Sequence, residues 1–449
     1  MPLLGQRITV VGAGVSGLSA ALFAAEAGAE VELLDEGADV GGLLAAHRFR
    51  SVDCDLGSHR LHREAMAHPE VARVLGAVPL ERRPRRGVLL LDGRRIPYPP
   101  SFSDVTRGLG LGGAMLAASS LARAQLARPW ESARVDAHPE DVGFAEFVRR
   151  RVGDALFRSF YRPYVEKVWG LDADEVSQTV AKARVSTSSP LRLIGGALVR
   201  RFRAARTGER EDEFLYPRGG TSSLIARLAE QARAAGVTIR TGTRFDPAAR
   251  RDDRVLYAGR LRDLVSRPLD HRGVYLIYLA LPIERVSHHE TFYTPEARYW
   301  FGRVSELQNY SPALRAPGET ILCVEIPEGR LGRDLRFDRE PRLGELLTQL
   351  RDAAILPRGV APTAVEQRFV ADVYPLYRRG WTRTWEAALA DVSHLREVLP
   401  FGRQGLFLHC NIDQCIAMAH DVVQHASAGG DSAAWRARAR RLIGVRVRD

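Results

Sequence analysis

Apolar positions change their spacing along the chain, and the changes divide it into segments of different kinds. ITVV, starting at Ile8, has the length and β-branched content of a buried strand. Residues 15–27 follow as an alanine-rich helix, and EVELLD, ending at Asp35, as a second strand, so residues 7–45 form a compact β-α-β unit. From 67 to 210 the apolar spacing is mostly helical, as in DVGFAEFVRRRV and DALFRSFYRPYV. Residues 214–260 return to α/β character, with FLYPRGG, then the helix SSLIARLAEQARAA, then the strand GVTIRT. Strand-like runs dominate from 271 to 375: GVYLIYLAL, ETILCVEI and VEQRFVADVY. Near 398, LPFGRQGLFLHCNIDQCIAMAHDVV reads as a strand and loop entering a helix, and an arginine-rich tail from about 431 as surface helix. There is no internal repeat and no low-complexity linker.

Composition changes this picture little. Of 449 residues, 45% are hydrophobic and 27% charged, which fits a globular chain of two or three domains. The net charge of +11 suggests a nucleic acid or an anionic ligand. However, 63 of the 65 basic residues are arginines spread over the whole chain, the lysines being Lys167 and Lys182. That pattern is a codon bias with solvated faces, and no nucleic-acid partner is expected. Cys54, Cys323, Cys410 and Cys415 show neither a C-x-x-C pair nor metal-ligand spacing, so they are expected reduced, structural and without metal, in a cytoplasmic protein. The first strand begins almost at the N-terminus, so no signal peptide is expected. The uncharged residues 108–122 would span about 22 Å as a helix, short of a roughly 30 Å hydrocarbon core. A buried or interfacial helix is expected there, with membrane attachment the less favoured alternative.

The candidate chemistry begins at VVGAGVSG. Gly12, Gly14 and Gly17 follow a strand and open a helix at G-x-G-x-x-G spacing. The first glycine permits a tight turn, the second a close approach to a pyrophosphate, and the third close helix–strand packing. The helix start at Val15 and Ser16 offers unpaired N–H groups to an anion. Asp35, closing the second strand, is placed to accept both ribose hydroxyls, and Gly41 and Gly42 begin another tight turn in EGADVGG.

The acid followed by that glycine pair resembles the extended fingerprint of the FAD-dependent amine-oxidase-like flavoproteins, which implies FAD rather than a nicotinamide cofactor. VDCDLGSHRLH (52–62) resembles the segment passing the flavin ring in UDP-galactopyranose mutases and protoporphyrinogen-oxidase-like enzymes, which implies Gly57, Ser58 and His59 beside the ring. By residue type alone, a buried histidine with satisfied hydrogen bonds is the commoner case for His59. YVEKVWGLDADEVS resembles the mutase motif bordering the substrate pocket, implying substrate contacts for Tyr164, Lys167 and Trp169. The alternative is a helix end whose carbonyls Lys167 satisfies, with Trp169 in the core. RVLYAGRLRDLV resembles the element with Tyr257, Gly259 and Asp263, and YWFGRVSELQN one presenting Arg303 and Glu306 to the pocket. FGRQGLFLHCNID resembles the C-terminal segment that sets Arg403 against the pyrophosphate or flavin edge, with Asp413 at the start of a helix aimed at the ring.

The implied fold is α/β. A discontinuous Rossmann-type FAD-binding domain (1–66, 211–262, 396–430) carries an inserted helical substrate domain (67–210) and a mixed β-sheet substrate domain (263–395), with a basic tail at 431–449. The implied activity is hydride transfer between flavin N5 and a small, anionic substrate such as a sugar or secondary metabolite, with His59 and Arg403 at the reacting centre. The alternative is a non-redox nucleotide-sugar mutase. The departures concern the diphosphate. AKARVSTSS keeps Arg184 but has Ser188 where the mutase pattern has a second arginine, and Phe407, His409 and Cys410 stand near where it has tyrosines. Losing such donors weakens diphosphate binding by several kcal/mol, at about 1.5–3 per charged hydrogen bond.

Overall fold

The computed structural model describes residues 3–98, 115, 119, 120, 122, 123, 142–184, 213–248, 254–395 and 397–443. The expectations for residues 108–122 and Ser188, and for the side chain of Arg184, therefore lie outside what it describes or largely so. The chain divides into two compact units: 1–82 with 214–270 and 382–449, and 83–213 with 271–381.

The first unit is built on a five-stranded sheet, in the order Val398–Pro400, Arg254–Tyr257, Arg7–Val11, Glu30–Leu34, Thr238–Arg240. Every pairing is parallel. Parallel strands are covered on both faces, which is why ITVV is continuously apolar rather than alternating. Helix Val15–Glu26 packs against helices Ile412–Ser427 and Thr221–Ala234. Its alanines and glycine let it sit in that crowded position, and the residues from Val15 to Ala24 are all buried. The chain moves to one side of Arg7–Val11 with its second strand and to the other with Arg254–Tyr257 and Val398–Pro400. The strand order thus reverses at the first strand, where open parallel sheets bind ligands beyond the strands' carboxyl ends.

The second unit holds a seven-stranded sheet, in the order Ala364–Pro375, His271–Leu281, Thr320–Pro327, Arg303–Glu306, Thr291–Tyr293, Gly87–Leu91, Arg94–Tyr98. Its register separates two faces. One row across six strands reads Val88, Phe292, Val304, Val324, Ile277, Gln367. This mostly apolar face packs on Leu346 and Leu350 of helix Arg342–Asp352 and on Phe337. The adjacent row reads Leu89, Tyr293, Arg303, Glu325, Leu276, Arg368, and a strand's alternation sends it to the opposite face.

One expectation changes. The segment 67–210 is not only helical, because Gly87–Leu91 and Arg94–Tyr98 join the sheet of the following segment through the pairing of Gly87–Leu91 with Thr291–Tyr293. The helical and β-sheet segments accordingly share one unit. The described part of the tail is the surface helix expected, Ser432–Ala439, held to the first unit by buried Trp435, whose Nε1 donates to the Pro400 carbonyl at 2.7 Å.

Candidate functional site

The turn after the first strand shows which of its glycines the fold itself requires. Gly12 has φ +95°, and a Cβ on Gly17 would overlap the Gly12 carbonyl oxygen. Both are set by the backbone. Gly14 is different, with φ −75° and ψ −178°, and the nearest atom to a Cβ there would be 3.8 Å away. Neither backbone nor packing asks for glycine at 14, but a ligand lying against the turn would. Helix Val15–Glu26 begins at Gly14 with no side-chain cap, so its first N–H groups are not capped from within the turn. These features fit a pyrophosphate at the helix start.

The surrounding segments converge on that turn. Asp35 accepts from the N–H of Ala13 at 2.5 Å and of Gly37 at 2.7 Å, so it braces the turn with both oxygens, each of which keeps a lone pair for a further donor. Gly41, at φ +126°, donates to the Ala13 carbonyl, and Gly42 lies against Gly14. From the next strand, Ala258 N–H bonds Val11 O at 2.8 Å, packing the Tyr257-Ala258-Gly259 turn beside Gly12. Tyr257 belongs to this first unit. Its hydroxyl donates to Arg260 O at 3.1 Å, and burial raises its phenol pKa above the usual range. Arg260 pairs with Glu36 and Asp263, at 2.7 Å each. Gly402, at φ +74°, approaches Ser16 so closely that a Cβ would collide with its hydroxyl.

Arg403 turns inward and holds the loop before the last long helix. It donates to Cys410 O at 2.8 Å and contacts His409 Nδ1 at 3.0 Å. Phe407, buried at φ +52°, marks the sharp bend of that loop, a conformation unfavourable for a bulky residue. Helix Ile412–Ser427 then starts with a capping box of Asn411 and Gln414, and Asp413 occupies its first turn.

Gly57, at φ +90°, shapes the 55–59 turn, in which His59 Nε2 lies 3.2 Å from Leu56 O. The residue beneath it was not singled out from sequence. Asp55 is fully buried, accepts from the Tyr216 hydroxyl, and accepts from Thr221 N–H at 2.9 Å at the start of helix Thr221–Ala234. That helix has no acid in its own first turn, and the run R-G-G-T-S-S ahead of it was the available signal. Burial raises Asp55 from 3.8 to about 6 against the pull of those donors. Between these values the folded chain holds the proton more tightly than the unfolded one, so this group's contribution to stability falls as pH rises from about 4 to 6. Urea unfolding of the wild type and Asp55→Asn across that range is expected to show the wild type losing up to about 3 kcal/mol relative to the variant. A difference that stays constant over the window contradicts the assignment.

In the second unit the expected pocket cations have protein partners. Lys167 Nζ reaches the carbonyl oxygens of Thr294 at 3.2 Å, Glu296 at 2.5 Å and Phe301 at 3.0 Å. Burial lowers its pKa to about 7, while the Glu296 carboxylate and the three acceptors favour the charged form. Trp169 Nε1 donates to Pro375 O at 3.3 Å, and its ring meets Tyr374 and Tyr164. Gly170, at φ +67°, ends the helix against Gly329. Arg303 makes a two-pronged ion pair with Glu325, Nε to Oε1 2.7 Å and Nη2 to Oε2 2.5 Å. Glu306 is fully buried, accepting the N–H groups of Val286 and Ser287 and the Thr320 hydroxyl, so it holds a loop rather than facing a pocket. Helix Gln178–Arg184 carries the Arg184 backbone.

Among the described residues no helix is long and apolar enough to cross a membrane, and no group of three His, Cys, Asp or Glu side chains is suited to a metal.

In comparison with known proteins, the fold is similar to that of a reduced UDP-galactopyranose mutase, with TM-score 0.79 and 19% identity over 99% of this chain and 98% of that one. It is also similar to putrescine oxidase, with TM-score 0.58 and 16% identity over 94% and 99% of the two chains. An oxidoreductase from Methanosarcina mazei matches at TM-score 0.56 and 16% identity, over 93% and 100%. At these identities the likeness is one of fold. No curated protein matches the sequence. The sequence pattern of the family described as flavin containing amine oxidoreductase matches residues 15–258, more than half of the chain, from the start of the helix that follows Gly14 through Asp35 to the Tyr257 strand. This chain therefore belongs to the flavin-containing amine oxidoreductase family, and its cofactor is FAD.

Proposed function

We propose that the protein is an FAD-dependent oxidoreductase that takes hydride from a small-molecule substrate. The observation that carries this reading is the state of the two cations nearest the mutase pattern. Lys167 is engaged by three backbone carbonyls, and Arg303 is neutralised by Glu325. A nucleoside diphosphate needs free charged donors, and these two are already committed within their own unit. The same sheet face carries Tyr293, stacked on Tyr98, beside Arg303, while Trp169 and Tyr374 pack together in the same unit. Aromatic rings around a neutral ion pair suit a compact organic substrate better than a diphosphate. The case for an anionic substrate then rests on Arg184 and on Arg403, which also braces its own loop.

Bound FAD supplies a two-electron acceptor at N5 for hydride from a substrate carbon. The chain's part is to hold the pyrophosphate at Gly14, Val15 and Ser16, to place Gly57, Ser58 and His59 along the ring, and to set the start of helix Ile412–Ser427 near it. His59 and Arg403 are proposed as the side chains nearest the reacting centre. A non-redox sugar mutase is the second reading, supported by the fold match over nearly the whole of both chains.

One experiment separates them. FAD-loaded protein is mixed anaerobically with amines, alcohols and other small metabolites while flavin absorbance is followed, and the prereduced protein is offered UDP-, GDP- and dTDP-sugars. Bleaching by a non-nucleotide metabolite, with no sugar isomerised, is the expected result. Ring-size isomers formed only by the reduced protein overturn it.

A further inference from the structure

Two thiols meet at the start of the last long helix. Asn411 caps helix Ile412–Ser427, so Cys410 precedes the cap and Cys415 is the fourth residue within the helix. Side chains at these two positions pack on each other at many helix starts. Here the pair is thiol on thiol, Sγ to Sγ 3.6 Å, both buried and neither in a disulfide. A disulfide needs about 2.05 Å between sulfurs, so an approach of about 1.5 Å closes it, within the range of side-chain rotation. The pair also touches the phosphate turn. Cys415 lies beside Ser16, and Arg403 holds the Cys410 carbonyl.

The thiols are not equivalent. The Cys410 hydrogen bond, with help from Ser16 and the Arg403 charge, holds the Cys415 pKa below the ordinary thiol value. That same bond, burial and the nearby Asp413 push Cys410 up. These directions favour Cys415 as the attacking thiol and Cys410 as the resolving one.

We propose that Cys410 and Cys415 are a redox-active dithiol that hydrogen peroxide closes to a disulfide, loosening the hold of the Ser16 turn on FAD. The Cys415 thiolate attacks one peroxide oxygen, the O–O bond breaks, and hydroxide leaves a sulfenic acid on Cys415. Cys410 then gives up its proton and attacks that sulfur, so the S–S bond forms as the S–O bond breaks and the departing hydroxide leaves as water. Two thiols and one peroxide become one disulfide and two waters. Closing the bond would draw the Cys415 sulfur toward Cys410 and away from the Ser16 turn. The couple is independent of which reaction the flavin performs.

The test treats the FAD-loaded protein with a few equivalents of hydrogen peroxide, then counts thiols under denaturing conditions and maps the linkage by mass spectrometry. The expected result is a Cys410–Cys415 link, with Cys54 and Cys323 still reduced, reversed by dithiothreitol. The FAD dissociation constant of the oxidised protein is expected to rise about tenfold, the equivalent of one hydrogen bond. In Cys410→Ser, dimedone is expected to label Cys415. All four thiols surviving, or loss spread evenly over them, overturns the couple in the wild-type protein itself, whatever the folding of the variant. A link that leaves FAD affinity unchanged overturns its effect on the turn.

Discussion

Lys167→Met is expected to lower the stability of the second unit by about 3–5 kcal/mol, because it leaves three backbone carbonyls without their donor. The side chain reaches Thr294, Glu296 and Phe301, all in the loop that precedes Arg303–Glu306. Methionine fills similar space but offers no donor. Three carbonyls then lose their partner at about 1–3 kcal/mol for each that stays dry, with relaxation and water returning part of the cost. At about 2–4 °C per kcal/mol for a unit of 150–250 residues, the midpoint should fall by roughly 10 °C. Differential scanning calorimetry reads this directly. FAD content at low temperature is expected to be unchanged, because the cradle residues from Gly12 to Gly42 belong to the other unit. An unaltered midpoint together with a large rise in KM would instead make Lys167 a substrate contact. The Trp-Gly that follows has the same structural character: Gly170 needs its positive φ, and a side chain there would strike Gly329.

How much of this was legible in the sequence depends on where each residue finds its partner. The glycine turn was readable because its logic is local: Gly12, Gly14 and Gly17 act within a few residues of one another. The partners of Lys167 are backbone carbonyls more than a hundred residues away, and a carbonyl acceptor leaves no mark on residue type. The Arg303–Glu325 pair becomes visible only with the antiparallel register of their strands, which sets the two residues opposite each other. Gly87–Leu91 was missed for another reason. GVLLL is buried along its whole length, so it has no period to read, and it pairs in parallel with a strand some two hundred residues on. Asp55 caps a helix from a distant strand, so the capping signal and the helix it serves are far apart in the chain. At Cys410 and Cys415 the spacing was in plain view, but only the capping box shows that it brings the sulfurs together.

Gly14→Ala and Gly17→Ala are expected to fail in opposite ways, and the contrast tests the cofactor site without reference to substrate. At Gly17 the added methyl would overlap the Gly12 carbonyl oxygen, backbone against side chain at the centre of the parallel sheet. Neither can yield without parting helix Val15–Glu26 from its strand, so this variant is expected to be insoluble or to lose its cooperative transition. At Gly14 the methyl meets nothing nearer than the Gly41 carbonyl at 3.8 Å, on a backbone any residue adopts. Gly14→Ala should therefore fold with the wild-type circular dichroism and, without FAD, the wild-type midpoint. It would instead fill the space beside the first N–H groups of the helix, where we propose the pyrophosphate binds. Losing two such charged hydrogen bonds, at about 1.5–3 kcal/mol each, raises the FAD dissociation constant at least about a hundredfold. Flavin absorbance after gel filtration, followed by titration of the apoprotein, measures it. If Gly14→Ala keeps wild-type affinity for FAD, the space beside residue 14 is not where the phosphates lie.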